Sequence, residues 1–144
     1  MFGSNLRPYG EYFAKAQAIT TSDVVGNETD NNPSRLDAAQ GGTAIVVATE
    51  KATGSLTVAS AATITLTVEG AKTAEGTGVV LGTAVYTNDT GKAKVFGADN
   101  KILEFILPDK VAEYPYVSVK IKGSAAPTGK VDIFPHYVSA PRRG

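Results

Sequence analysis

Apolar and polar positions alternate strictly along residues 62–69 (ATITLTVE). Ile64, Leu66 and Val68 fall on one side, and Thr63, Thr65 and Thr67 on the other. Period two with β-branched residues is the pattern of a half-buried strand. Residues 116–122 (YVSVKIK) repeat it, with Val117, Val119 and Ile121 inward and Ser118, Lys120 and Lys122 outward. In residues 130–138, Val131 and Ile133 share a face and Asp132 takes the other. Pro135 lies inside that run. Because proline has no N–H to give to a ladder, it predicts an edge strand or a bulge there.

Four further segments read as strands from composition and punctuation. Residues 43–49 (TAIVVAT) form a short apolar run behind Gly41 and Gly42. Residues 79–87 (VVLGTAVYT) contain Gly82, the mark of a bulge. Residues 102–107 stop at Pro108, and residues 17–25 form a first strand ending at Gly26 and Asn27. Turn-forming clusters separate the runs at residues 70–78, 88–91, 97–101 and 123–129. Helical periodicity is weak: residues 9–18 are the best helical stretch, and residues 109–113 allow one turn after Pro108. Short strands at this spacing predict an all-β sandwich or barrel.

The ends and one loop fall outside this grammar. The chain divides into an N-terminal arm (1–13), a sandwich domain (14–138) and a short tail (139–144). The long polar segment 26–42 (GNETDNNPSRLDAAQGG) is of the length that is usually functional or mobile in a compact domain.

Composition narrows the possible functions. A chain of 144 residues is one domain, able to bury roughly 70% of its unfolded surface without a disulfide or a metal. It has no cysteine, which excludes thiolate chemistry and suits a reducing compartment. Lysine plus arginine and aspartate plus glutamate both total 14, so no basic field is available for nucleic acid. A near-neutral surface also opposes self-association little. The start, MFGSNLRPYG, lacks the apolar core of a signal peptide, and no apolar run is long enough to span a bilayer. The expectation is a partner that is neither nucleic acid nor membrane.

Catalytic patterns are sparse. His136 is the one histidine, and no spacing of carboxylates and histidines predicts a metal site or a triad. Glu69 and Glu104 illustrate the carboxylate pairs that can be assembled on paper for glycoside hydrolysis. Gly76-Thr77-Gly78 is followed by neither lysine nor helix, so it is no phosphate loop. Asn27-Glu28-Thr29 and Asn88-Asp89-Thr90 match the glycosylation sequon and are read as coincidental without a secretory signal. The expectation is a non-enzyme with no catalytic residues, metal or cofactor.

Partner binding is the remaining reading. The arm offers Arg7 and the rings of Tyr9, Tyr12 and Phe13, which have little surrounding chain to bury them and either mark an interface or fold back on their own sheet. The tail offers Arg142 and Arg143, whose planar guanidinium groups suit carboxylates, and the polar loop offers Arg35.

The order of elements adds to this. A lead-in at Ala16-Gln17-Ala18-Ile19-Thr20, a glycine step into residues 41–47 and the threonine-rich strand 64–68 come first. LEFILP (103–108) and then YVSVKI (116–121) follow. Over residues 11–137 the chain resembles the small capsid cement, or decoration, proteins of tailed bacteriophages. The resemblance implies a jelly roll on the exterior of a virion, made in the host cytoplasm. Its implied partners are the major capsid protein, whose subunits it would bridge, and itself, as a homodimer or higher symmetric oligomer. It carries over no catalytic residues. The longer aromatic N-terminus and the PRRG end depart from the family pattern. The competing expectation is a carbohydrate-binding or adhesin-like sandwich of a phage fibre or cell-surface protein, with Tyr114 and Tyr116 as its sugar platform.

Overall fold

A computed structural model describes residues 12–36, 43–51 and 54–137. The strands are β1 (Ala14–Ala18), β2 (Val24–Val25), β3 (Ser34–Arg35), β4 (Thr43–Thr49), β5 (Leu56–Val58), β6 (Thr63–Ala71), β7 (Val79–Thr87), β8 (Lys94–Phe96), β9 (Lys101–Ile106), β10 (Tyr116–Gly123) and β11 (Thr128–Tyr137). Single 3-10 turns occupy Thr29–Asn31 and Asp109–Ala112. The second of these is the turn expected after Pro108.

Three pairs of short strands act as single interrupted strands. β2 and β3 both lie antiparallel to β10, at Val24–Val25 and Ser34–Arg35. β4 and β5 both lie antiparallel to β11, and the Glu50 N–H donates to the Lys130 carbonyl between them (3.3 Å). β8 and β9 run back along β5 and β4. Counting each pair once leaves eight strand positions. One sheet runs β1, β11, β4/β5, β9/β8, and the other β2/β3, β10, β6, β7. In chain order these are positions 1-8-3-6 against 2-7-4-5, with every neighbouring pair antiparallel. That is the jelly-roll order of two interleaved Greek keys, in agreement with the expected fold class.

The alternation seen in the sequence builds the core. Ile64, Leu66 and Val68 of β6 and Val117, Val119 and Ile121 of β10 face Ile45 and Val47 of β4 and Val131 and Ile133 of β11. All are fully buried in one cluster. Each such side chain contributes about 1.5–3 kcal/mol relative to an exposed one. β4 is buried on both faces. On its outer side Val46 and Ala48 join Phe134 in a second small cluster against which Tyr12 packs. The Tyr12 and Phe134 ring centroids are 5.6 Å apart.

Four expectations are corrected. Residues 14–18, inside the best helical stretch, form β1. Ala16 adopts a φ of 48° at a bulge, and its N–H donates to the buried Asp132 carboxylate (2.8 Å). Residues 17–25 are not one strand. The chain leaves the first sheet after Ala18 and enters the second at Val24, with the Gly123 N–H donating to the Thr20 carbonyl at the crossing (2.8 Å). Pro135 lies in a strand paired on both flanks, not an edge strand. It sits opposite Ile45, beyond Ile133, where the β1 pairing ends, so no ladder bond to β1 is lost. Phe13, expected in the arm, is fully buried in the main core. The bulge expected at Gly82 is present, with Leu81 the extra residue between the partners of Val68 and Glu69.

Candidate interaction surfaces

Of the residues expected to bind a partner, Arg7, Tyr9, Arg142 and Arg143 lie outside the described residues. Phe13 is buried, which removes it from any surface. Tyr12 is half-buried over Phe134, with the Lys15 ammonium 4.9 Å from its ring centroid. Arg35 is exposed on β3, and its guanidinium lies 5.6 Å from the Tyr116 ring centroid.

Arg35 belongs to a ridge that no local motif announces. Register sets it: Tyr116 of β10 sits opposite Arg35 on one side and Ala71 of β6 on the other, and Lys72 follows Ala71. The 3-10 turn supplies Lys110, whose carbonyl accepts the Tyr114 N–H (3.2 Å). The ammonium groups of Lys72 and Lys110 then lie 5.6 and 5.8 Å from the Tyr114 ring centroid. Three exposed cations thus flank two half-buried tyrosines. Exposed cation–π pairs of this kind contribute on the order of 0.5–1 kcal/mol. They hold the cations beside the rings, and guanidinium and ammonium groups are donors that suit carboxylates. A tyrosine attended by two ammonium groups suits an acidic partner better than it suits the face of a sugar ring.

The ridge depends on Gly70. A Cβ there would lie 2.5 Å from the Tyr114 carbonyl oxygen and 3.0 Å from the Tyr114 Cβ and a Leu81 methyl. Two of these are parts of the segment that carries the ridge. Gly70→Ala is therefore expected to cost about 1–3 kcal/mol and to displace Tyr114. Thermal unfolding together with tyrosine fluorescence would report both changes.

The long polar segment, of a length read as functional or mobile, is tied down over residues 26–36 by its asparagines. Asn32 donates from Nδ2 to the carbonyls of Phe13, Gly26 and Glu28 (2.9, 3.2 and 2.9 Å) and accepts the Val119 N–H at Oδ1 (3.2 Å). It fills the gap in the ladder between β2 and β3. Asn31 donates to the Tyr12 carbonyl (2.9 Å). Asn27 exchanges two bonds with the Lys15 backbone, both 2.8 Å. These asparagines link the two sheets and set the position of Arg35.

Two further sites change meaning in three dimensions. Glu69 faces outward from the second sheet and pairs with Lys120 (3.2 Å). Glu104 sits opposite Val46 on the outer side of the first sheet and pairs with Lys101 (3.0 Å). The two carboxylates point away from opposite sides of the sandwich and cannot flank one glycosidic bond. Asn88, in the second sequon, is fully buried. Its amide donates to the carbonyls of Val58, Ala59 and Lys92, so the folded chain offers no glycan acceptor there. His136 is half-buried in β11 opposite Ala44. Among the described residues, no group of three or more histidine, cysteine or carboxylate side chains could hold a metal ion. No described helix is long and apolar enough to cross a membrane.

No protein-family model matches the chain, and neither a curated protein nor a solved structure is significantly similar to it.

Proposed function

We propose that this chain is a structural protein of a bacteriophage virion. It is a cement protein that binds the outside of the capsid, bridges neighbouring major capsid protein subunits and stabilises the shell. The observation that carries this reading is the jelly-roll strand order. The resemblance to cement proteins requires that order, and strand patterning alone does not specify it. The ridge of Arg35, Lys72 and Lys110 around Tyr114 and Tyr116 gives the reading a chemistry. It is suited to acidic patches on a capsid lattice, where many copies of a modest contact act together.

Physically, such a protein needs a body that does not yield and surfaces that grip. Load entering at the ridge passes into β10 and β6, which pair over eight consecutive residues at the centre of their sheet. The asparagine-pinned segment carrying Arg35 is anchored to both sheets, so pulling on it does not simply unravel a loop. The test is compositional. Purified particles of the phage that encodes the chain should contain it in a fixed, high ratio to the major capsid protein by quantitative mass spectrometry. Its absence from particles, or binding to a glycan array by an isolated chain, would favour a fibre or adhesin module instead.

A further inference from the structure

We propose that the outer edge of β7 accepts an extended segment of a partner chain, added antiparallel as a further strand of the second sheet. The segment it fits alternates apolar and polar residues and carries a carboxylate near its N-terminal end.

The backbone supplies the template. Among the described residues β7 pairs with β6 alone; it is nine residues long and contains no charge and no proline. Just beyond its end, the Asn88 N–H donates to the Ala62 carbonyl (3.0 Å), directly before β6. Backbone groups alternate in direction along a strand. Those of Ala84 and Tyr86 therefore turn toward β6 as Asn88 does, and those of Thr83, Val85 and Thr87 turn outward. β6 agrees with this phase. The Thr63 carbonyl accepts from Ser124 on the β10 side (2.9 Å), which leaves Ile64 to face Tyr86. The extra residue Leu81 lies near the start of β7 and leaves this stretch regular. Thr83, Val85 and Thr87 are all exposed, so their N–H and C=O groups form a row that an incoming strand can pair with.

The other sheet edges are blunted in ways that oppose strand addition. β1 is bulged at Ala16, and the Asn27 side chain occupies the Lys15 backbone. β2 and β3 are two residues each, separated by the Asn32 segment. β8 and β9 are short, interrupted at residues 97–100, and carry Lys94, Lys101 and Glu104.

The occupant follows from the two faces of β7 and from one charge. Ala84 and Tyr86 turn inward, and with Phe105 of β9 they pack on the core while only partly buried. A Cβ at Gly82 would lie 2.6 Å from the Phe105 Cζ, so at this seam a single ring bridges the two sheets. Side chains of the incoming strand opposite Ala84 and Tyr86 fall on this inner side, where apolar residues extend the core. Those opposite Thr83 and Val85 stay in solvent and are polar. At the Tyr86 end, the Phe96 ring centroid lies 5.4 Å from that of Tyr86, and the exposed Lys94 ammonium lies 5.6 Å from the Phe96 centroid. An antiparallel strand begins at that end, so a carboxylate early in it meets Lys94. The β7 of a second copy has no carboxylate to offer.

This inference stands apart from the capsid reading, because its test uses the isolated chain and a synthetic peptide. The probe is a labelled peptide of about nine residues, with glutamate near its N-terminus followed by alternating valine and threonine. Fluorescence anisotropy is expected to show saturable binding, and amide exchange to slow at Thr83 and Val85. Val85→Pro removes an outward donor without taking a bond from the β6 ladder. Its melting temperature should hold while binding weakens at least about 10-fold. Lys94→Glu should also weaken binding. Peptides N-methylated on one or the other set of alternate amides test the pairing without altering the protein: one set should abolish binding and the other spare it. No saturable binding at millimolar peptide would overturn the proposal. So would binding indifferent to Val85→Pro and to both N-methylated sets, or a dimer of the chain alone that Val85→Pro dissolves.

Discussion

Replacing Phe13 by alanine is expected to lower the unfolding free energy by about 3–5 kcal/mol, the usual cost of emptying a buried aromatic site. Phe13 has no exposed surface and belongs to the main core cluster. Its backbone is equally committed: its N–H donates to Ile133 (2.8 Å), and its carbonyl accepts from Glu28 and from the Asn32 amide. The loss therefore combines a cavity with a loosened junction between the sheets. If Phe13 were a contact residue of a projecting arm, the same substitution would leave stability within about 0.5 kcal/mol and weaken binding alone. Denaturant unfolding separates the two outcomes without any partner present.

Asn32→Ala is expected to cost about 3 kcal/mol. Its side chain reaches four backbone groups, its two N–H groups shared among three carbonyls and its oxygen accepting the Val119 N–H, and each polar group left without a partner costs about 1–3 kcal/mol. Two of the carbonyls keep another donor: Phe13 accepts from Glu28, and Glu28 accepts from Asn31. The sum is therefore less than four full penalties. At roughly 3 °C per kcal/mol for a chain of this size, the melting temperature should fall by about 9 °C. Asn32→Asp keeps the acceptor for Val119 but turns a negative charge toward three carbonyls, so it should be no better than alanine. Either change also frees the segment that places Arg35 over Tyr116. Amide exchange in residues 26–36 should rise more than in β6 or β10.

These two residues also mark what could and could not be read from the chain. Strands β6 and β10 were legible because each buries one face, so their sequences alternate; β11 was legible from Val131, Asp132 and Ile133 although both of its faces are covered. β4 does not alternate, because Val46 and Ala48 are covered on its outer side just as Ile45 and Val47 are on its inner side. It was legible only as an apolar run. β1 was misread because Ala14–Ala18 is rich in alanine, a helix former. Its pairing with β11 and the capture of the Ala16 N–H by Asp132 override that local preference. β2 was read only as the end of a longer strand over 17–25, and β3 was not read at all, because two residues cannot show a period and Asn32 replaces the missing ladder bonds with a side chain. The ridge was half legible. Arg35, Tyr114 and Tyr116 stood out by type, but Lys72 and Lys110 come to the same tyrosine only through strand register and a 3-10 turn. Phe13 looked like an exposed ring because nothing in its neighbours reveals that the sandwich begins before β1.

The central claim is that this jelly roll cements a capsid, and add-back to bare shells tests it most directly. Shells of the encoding phage, assembled without this chain, are heated in a stepwise series before and after saturation with the purified protein. Disruption is followed by light scattering and by release of the major capsid protein. The account predicts saturable binding and disruption at a clearly higher temperature. It also predicts a smaller gain for a protein in which Arg35, Lys72 and Lys110 are replaced by glutamate. Shells that bind none of the protein, or that bind it and come apart at the same temperature, would contradict it.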